Sequence, residues 1–155
     1  MALQKISRSG IFSMNGPSMS SMSMGSETCG LCIQTAALAQ DMLNAVTSLH
    51  RLHLKVTGLG SYAAHKALNE GYDAFGDHAD DLVEEYQGAE EKLLELPNTA
   101  PSELTSVDEA LDFLCKMKDK ITALQSNMPH SEIVNLLDNA KSTINGVKYK
   151  LLFLK

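Results

Sequence analysis

No stretch of this chain stays apolar for the roughly 20 residues a bilayer-spanning helix needs, so the sequence is not read as a membrane protein. Cysteine is scarce and odd in number. Three residues, Cys29, Cys32 and Cys115, with no apolar secretory segment ahead of them, point to a reducing compartment or to metal chemistry rather than a disulfide scaffold. Positive charge is scarce too: 13 Lys and Arg stand against 19 Asp and Glu, for a formal net charge of −6. Residues 1–26 contain Lys5, Arg8 and no acid, so the rest of the chain sums to −8 and would repel a phosphate backbone. DNA binding is therefore not expected. Also missing are any strand-like alternation, a nucleophilic triad, a phosphate-cradling loop and a nucleotide motif. The expectation is a soluble protein of the cytoplasm, with the virion as the alternative for a virus-encoded chain.

What is present is helical. At 155 residues and 44% hydrophobic, the chain can bury one sizeable core and is too short to argue for two. Residues 1–26 include SMNGPSMSSMSMGS, a stretch without period, and are expected to form a flexible Ser/Met-rich tail. Beyond them, apolar residues recur in steps of three and four, the mark of a helix with one buried stripe. Leu31, Leu38, Met42, Ala45, Leu49, Leu52 and Val56 predict a first helix over 27–57, stopped by Gly58 and Gly60. A second runs over 61–96 through Leu68, Tyr72, Phe75, Leu82, Tyr86, Leu93 and Leu96 to Pro97. Ser106-Val-Asp-Glu109 has the form of a capping box and opens a third over 106–127; a fourth follows over 131–154. Four such helices predict an all-α four-helix bundle spanning 27–155, because each stripe needs a partner. The nine residues from Pro97 to Thr105 reach about 30 Å when extended. That length leaves both a ferritin-type crossover and a simple up-down-up-down path open.

The stretch LHRLHLKVTGLGSYAAHK places His50, His53 and His65 within sixteen residues, although the chain has only five histidines. His53 lies about one turn before the glycine bend and His65 about one turn after it, so both fall at one height and can share a ligand. Asn69 is one turn further along. The second helix also holds ten of the nineteen acids, opposed only by Lys66 and Lys92. Most of these are what a solvated helix face ordinarily carries. Asp80 and Glu84, spaced i and i+4, form a second pair of ligands, yet about 22 Å of helix separates Asp80 from His65. One copy of the chain cannot bring both pairs to one ion. Two copies with antiparallel second helices can, making two identical N/O sites suited to iron, zinc or manganese.

The pattern His53-Leu54, Gly58, Tyr62, His65, Asn69, Tyr72, Asp80, Glu84 resembles that of the Dps-type mini-ferritins, over roughly the first two helices. The resemblance implies a ferritin-like fold and a hollow dodecamer that binds and oxidises Fe(II) between two-fold related subunits. It implies metal-ligand roles for His53, His65, Asp80 and Glu84, with Asn69 at the fifth position. Asn69 stands where the family usually has an aspartate, Leu54 replaces its tryptophan and Glu85 its arginine, and the connector is short. These departures mark a divergent member. They also keep open a second class of function, a structural or interaction protein, for example virus-associated, that retains the bundle with a degenerate site.

The remaining candidates have plainer readings. Cys29-Gly-Leu-Cys32 is a CxxC without the preceding strand of a thioredoxin or the second ligand pair of a zinc site, and reads as small residues at a helix start. Met19, Met22 and Met24 could hold Cu(I) through soft thioethers, but the tail's composition accounts for them. His78 and His130 read as hydrogen-bonded boundary residues.

Overall fold

The apolar stripes read from the sequence become the inner faces of four helices. A computed structural model describes residues 27–154: α1 is Glu27–His53, α2 Ser61–Glu90, α3 Val107–Gln125 and α4 Ser131–Phe153, with no strand among the described residues. The expected tail over 1–26, with its methionines, lies outside them, as does the side chain of Cys29. The core is filled by Met42, Leu49 and Leu52 of α1, Leu68, Phe75, Leu82 and Tyr86 of α2, Leu114 and Ile121 of α3, and Ile133, Leu137 and Ile144 of α4, all fully buried. Gly71 sits where α1 and α4 close over α2. A Cβ there would lie 3.3 Å from Leu49 Cδ1 and 3.4 Å from Val147 Cγ2.

Two helices end earlier than their periodicity predicts. α1 stops at His53 rather than near 57: the Lys55 and Val56 N–H groups both donate to Leu52 O, at 2.8 and 3.1 Å, and close the last turn. Gly58 and Gly60 then take left-handed φ of 87° and 76°, a conformation that glycine adopts without a Cβ clash. α2 stops at Glu90 rather than 96. Glu91 adopts φ 51°, the Lys92 N–H donates to Gln87 O at 3.3 Å, and the Leu94 N–H donates to the Gln87 side chain at 2.8 Å. The side-chain amide oxygen thus takes over a donor that a further helical turn would have used. Leu93 is consequently 80% exposed, and Leu94 packs on the core in its place.

That early stop decides the topology. Around the bundle α1 lies beside α2 and α3, and α4 beside α2 and α3, so α2 and α3 are diagonal to one another. α2 runs antiparallel to α4, joined by Glu70–Lys150, His78–Thr143 and Glu90–His130. α3 also runs antiparallel to α4, through Lys118–Asn145 and Gln125–Asp138. α2 and α3 are therefore parallel, and the sixteen residues between Glu90 and Val107 must return along the length of the bundle. A 30-residue helix such as α2 is about 45 Å long, and sixteen extended residues reach about 53 Å. The strap runs without regular structure, carries Pro97 and Pro101, buries Leu104, and is tied to α1 by Asn44–Thr99 (2.8 Å) and to the turn after α1 by Lys55–Glu103 (3.6 Å). With the nine residues expected, both paths were open; with sixteen, the crossover is the path taken.

At the start of α3 the Glu109 N–H donates to Ser106 Oγ at 3.2 Å, as the capping pattern predicts. The Glu109 carboxylate reaches back one residue further than the motif prescribes, to the Thr105 N–H at 2.7 Å. Those backbone donors hold it below the usual carboxylate range.

His78 and His130 are boundary residues. His130 Nε2 meets Glu90 at 2.7 Å, and His78 Nε2 lies 2.8 Å from Thr143 Oγ1. Burial lowers the His78 pKa from 6.5, outweighing the nearby Asp81 and Asp77. The unfolded chain therefore binds this proton more readily than the folded one. Its contribution to stability is fully present above pH 6.5 and is lost as the pH falls through the lower folded value. Thermal melts between pH 7.5 and 5 should show a smaller acid-side loss for His78→Gln than for the parent. Parallel curves would mean that His78 does not contribute to the pH dependence.

Candidate metal site

The corner between α1 and α2 brings the two predicted histidines together. His53 closes α1 and is only 7% exposed; His65 lies in the second turn of α2 and is half-buried. Their rings stack with centroids 3.7 Å apart and planes 26° from parallel. The bonding is reciprocal: Nδ1 of His53 donates to the carbonyl of His65 at 3.0 Å, and Nδ1 of His65 to the carbonyl of His53 at 3.3 Å. A carbonyl only accepts, so Nδ1 carries the hydrogen on both rings and each neutral ring keeps its Nε2 lone pair. The contact also caps the α1 C-terminus, where the His53 carbonyl has no partner within its own helix. No fully buried side-chain nitrogen or oxygen lacks a partner among the described residues, so Nε2 of His53, which makes no hydrogen bond there, meets the surface.

Around this pair is an aromatic and polar surround, of which Asp73 alone was not singled out in the sequence. His50 stacks on Tyr72 at 4.4 Å, and Tyr72 meets His53 edge-on at 5.3 Å. The Tyr72 hydroxyl donates to Asn69 Oδ1 at 3.0 Å, and Asn69 Nδ2 donates to Asp73 at 2.5 Å. The Asn69 amide is therefore held at both ends, with one Oδ1 lone pair left. The i+3 and i+4 offsets from Asn69 were the available signal for Tyr72 and Asp73, as the i−3 offset from His53 was for His50.

Asp80 and Glu84 are exposed one turn apart in the second half of α2. They do not meet the histidines within one chain. Among the described residues no group of three or more His, Cys, Asp or Glu is arranged to hold a metal ion. The helix is asymmetric in charge: residues 76–90 hold Asp77, Asp80, Asp81, Glu84, Glu85 and Glu90 with no Lys or Arg, whereas residues 61–75, the half nearest the histidines, set Lys66 against only Glu70 and Asp73. Midway along the same face, an added Cβ at Gly76 would touch only Val46 Cγ2, at 3.9 Å.

Of the CxxC cysteines only the Cys32 side chain is among the described residues. Cys32 is half-buried and accepts from the Tyr86 hydroxyl at 3.4 Å; burial and that thiol raise the Tyr86 pKa well above its ordinary value. No helix among the described residues is long and apolar enough to cross a membrane.

Fold and corner together define a class: an all-α four-helix bundle with one crossover and a stacked imidazole pair at the end of its first helical hairpin. The profile of a family of unknown function, DUF5856, matches residues 53–151, more than half of the chain, and the chain belongs to that family. The match begins at His53 and spans the other ligand candidates. No curated protein and no solved structure matches the chain.

Proposed function

We propose that the chain is the subunit of a ferritin-like, Dps-like mini-ferritin that binds iron at a site shared between two copies and oxidises and stores Fe(II). The observation that carries this reading is the reciprocal His53–His65 pair. Each Nδ1–H is committed to a backbone carbonyl, the usual way an imidazole is oriented when its other nitrogen serves a metal. Iron is the substrate; His53 and His65 supply nitrogen donors, Asn69 an amide oxygen, and Asp80 and Glu84 of a second copy the carboxylates. Zinc or manganese would suit the same mixed set.

Three further features support the shared site. The crossover is the connection of ferritin-like bundles. Antiparallel α2 helices would lay the less acidic, histidine-bearing half of one copy against the acidic half of the other, so the two most acidic halves would not face each other. Gly76 would leave room for the two helices to approach at the centre. The engagement of Asn69 by Tyr72 and Asp73 favours the second reading, a structural or interaction protein with a degenerate site, because it occupies part of the oxygen a cation would use.

Aerobic Fe(II) addition to the purified protein, with bound metal and particle mass measured together, tests the proposal. The expected result is bound or oxidised iron in a particle whose mass is an even multiple of the 16.8 kDa chain, up to a dodecamer. Asn69→Asp should raise iron binding or oxidation, since it adds a carboxylate one turn from His65. A 16.8 kDa monomer that neither binds nor oxidises iron would leave the interaction-protein reading in place.

A further inference from the structure

The seam between α3 and α4 is held by polar rungs in one register. Lys118 Nζ donates to Asn145 Oδ1 at 2.8 Å, and Gln125 Nε2 donates to Asp138 Oδ1 at 3.0 Å. The next rung toward the α4 C-terminus differs in kind: Lys148 Nζ lies 2.8 Å from Cys115 Sγ. Both residues are half-buried, and Lys148 makes no salt bridge to a carboxylate among the described residues. A lysine that would ordinarily find an acid is instead held against a thiol on another helix.

We propose that Cys115 and Lys148 form a modification site at which a peroxide links α3 to α4 through a sulfur–nitrogen bond. The sulfur of Cys115 attacks hydrogen peroxide, the O–O bond breaks, and Cys115 becomes a sulfenic acid with release of one water. Lys148 Nζ, as the free amine, then attacks that sulfur. The S–N bond forms, the S–O bond breaks, and the departing hydroxyl leaves as a second water with a proton from the nitrogen. One thiol, one amine and one peroxide give one sulfenamide and two waters. Two electrons pass from sulfur to the peroxide. Sulfenic acids condense with nearby nitrogen in this way when the nitrogen is held in place. Here the Lys118–Asn145 and Gln125–Asp138 rungs fix the register, and at 2.8 Å the nitrogen and sulfur are already closer than the roughly 3–3.5 Å from which a positioned pair reacts. The site is separate from the histidine corner and does not depend on it.

The test is brief treatment of the full-length protein with hydrogen peroxide, followed by tryptic mapping with and without dithiothreitol. The expected product is a linked pair of peptides containing Cys115 and Lys148, together two hydrogens lighter than the reduced pair. Tryptic cleavage after Lys148 should be lost in the oxidised fraction and return on reduction. Mapping is needed because a Cys29–Cys32 disulfide would change the whole-chain mass equally. Cys115→Ser should abolish the link. Lys148→Arg, which keeps a cation but removes the amine nucleophile, should divert Cys115 to sulfinic and sulfonic acids. Peroxide that oxygenates Cys115 in the parent protein without any Lys148 link, or oxidises parent and Lys148→Arg to the same products, would overturn the proposal.

Discussion

His65→Ala and Glu84→Ala should each lower metal affinity by about tenfold or more if the proposed shared site is right, although the two residues lie nineteen positions apart on one helix and never meet within a chain. His65→Ala does so twice over, because it removes a donor nitrogen and also the Nδ1–H that caps the His53 carbonyl. The informative result comes from mixing. In a two-fold pair built from one chain of each variant, one site lacks both the imidazole and the carboxylate, while the other has every ligand. Random pairing of equal amounts therefore restores about a quarter of the sites, read as bound metal per chain after co-refolding. Two inactive variants that remain inactive when mixed would rule out the shared site even if each one alone loses metal. Variants that bind like the parent would make the histidines structural.

Phe75→Ala costs about 3–5 kcal/mol of stability. Its ring is fully buried at the centre of α2, within the core that all four helices build, and truncation leaves a cavity that a close-packed core fills only in part. For a chain of this length each kcal/mol moves the melting temperature by about 2–4 °C, so a drop of about 10 °C is expected in a circular-dichroism melt. Tyr62→Ala is the control: at 78% exposure in the single chain, it should change the melt of dilute protein little. A small drop for Phe75→Ala would mean that the core collapses around the gap.

The four helices were legible because each buries one stripe, and periods of three and four leave few other readings for Phe75, Leu82 and Tyr86. Their ends were less so. Leu93 and Leu96 continue the spacing of α2, and periodicity cannot tell that Gln87 will turn its amide onto the Leu94 N–H and stop the helix. The crossover was hidden for the same reason, since connector length depends on where α2 ends. At the candidate site, spacing across the glycine bend was enough to put His53 and His65 side by side. Spacing says nothing of hydrogen-bond direction, so the reciprocal Nδ1 bonds and the grip of Tyr72 and Asp73 on Asn69 needed coordinates. Asp80 and Glu84 stay apart from the histidines within one chain, as the 22 Å of helix between His65 and Asp80 requires.

The strap from Glu91 to Ser106 has a consequence for how the chain reaches this structure. α1 with α2, and α3 with α4, are hairpins whose partners are close in sequence, and such local pairs form early. The strap forbids simple zippering of α3 onto α2. α3 must instead find α1, and their ion pair Asp41–Lys120 joins residues 79 positions apart. Closing the loop over the whole strap is therefore an entropy cost that the α1–α3 contact has to offset. Shortening the strap would leave each hairpin intact while removing the reach that lets α3 lie antiparallel to α1.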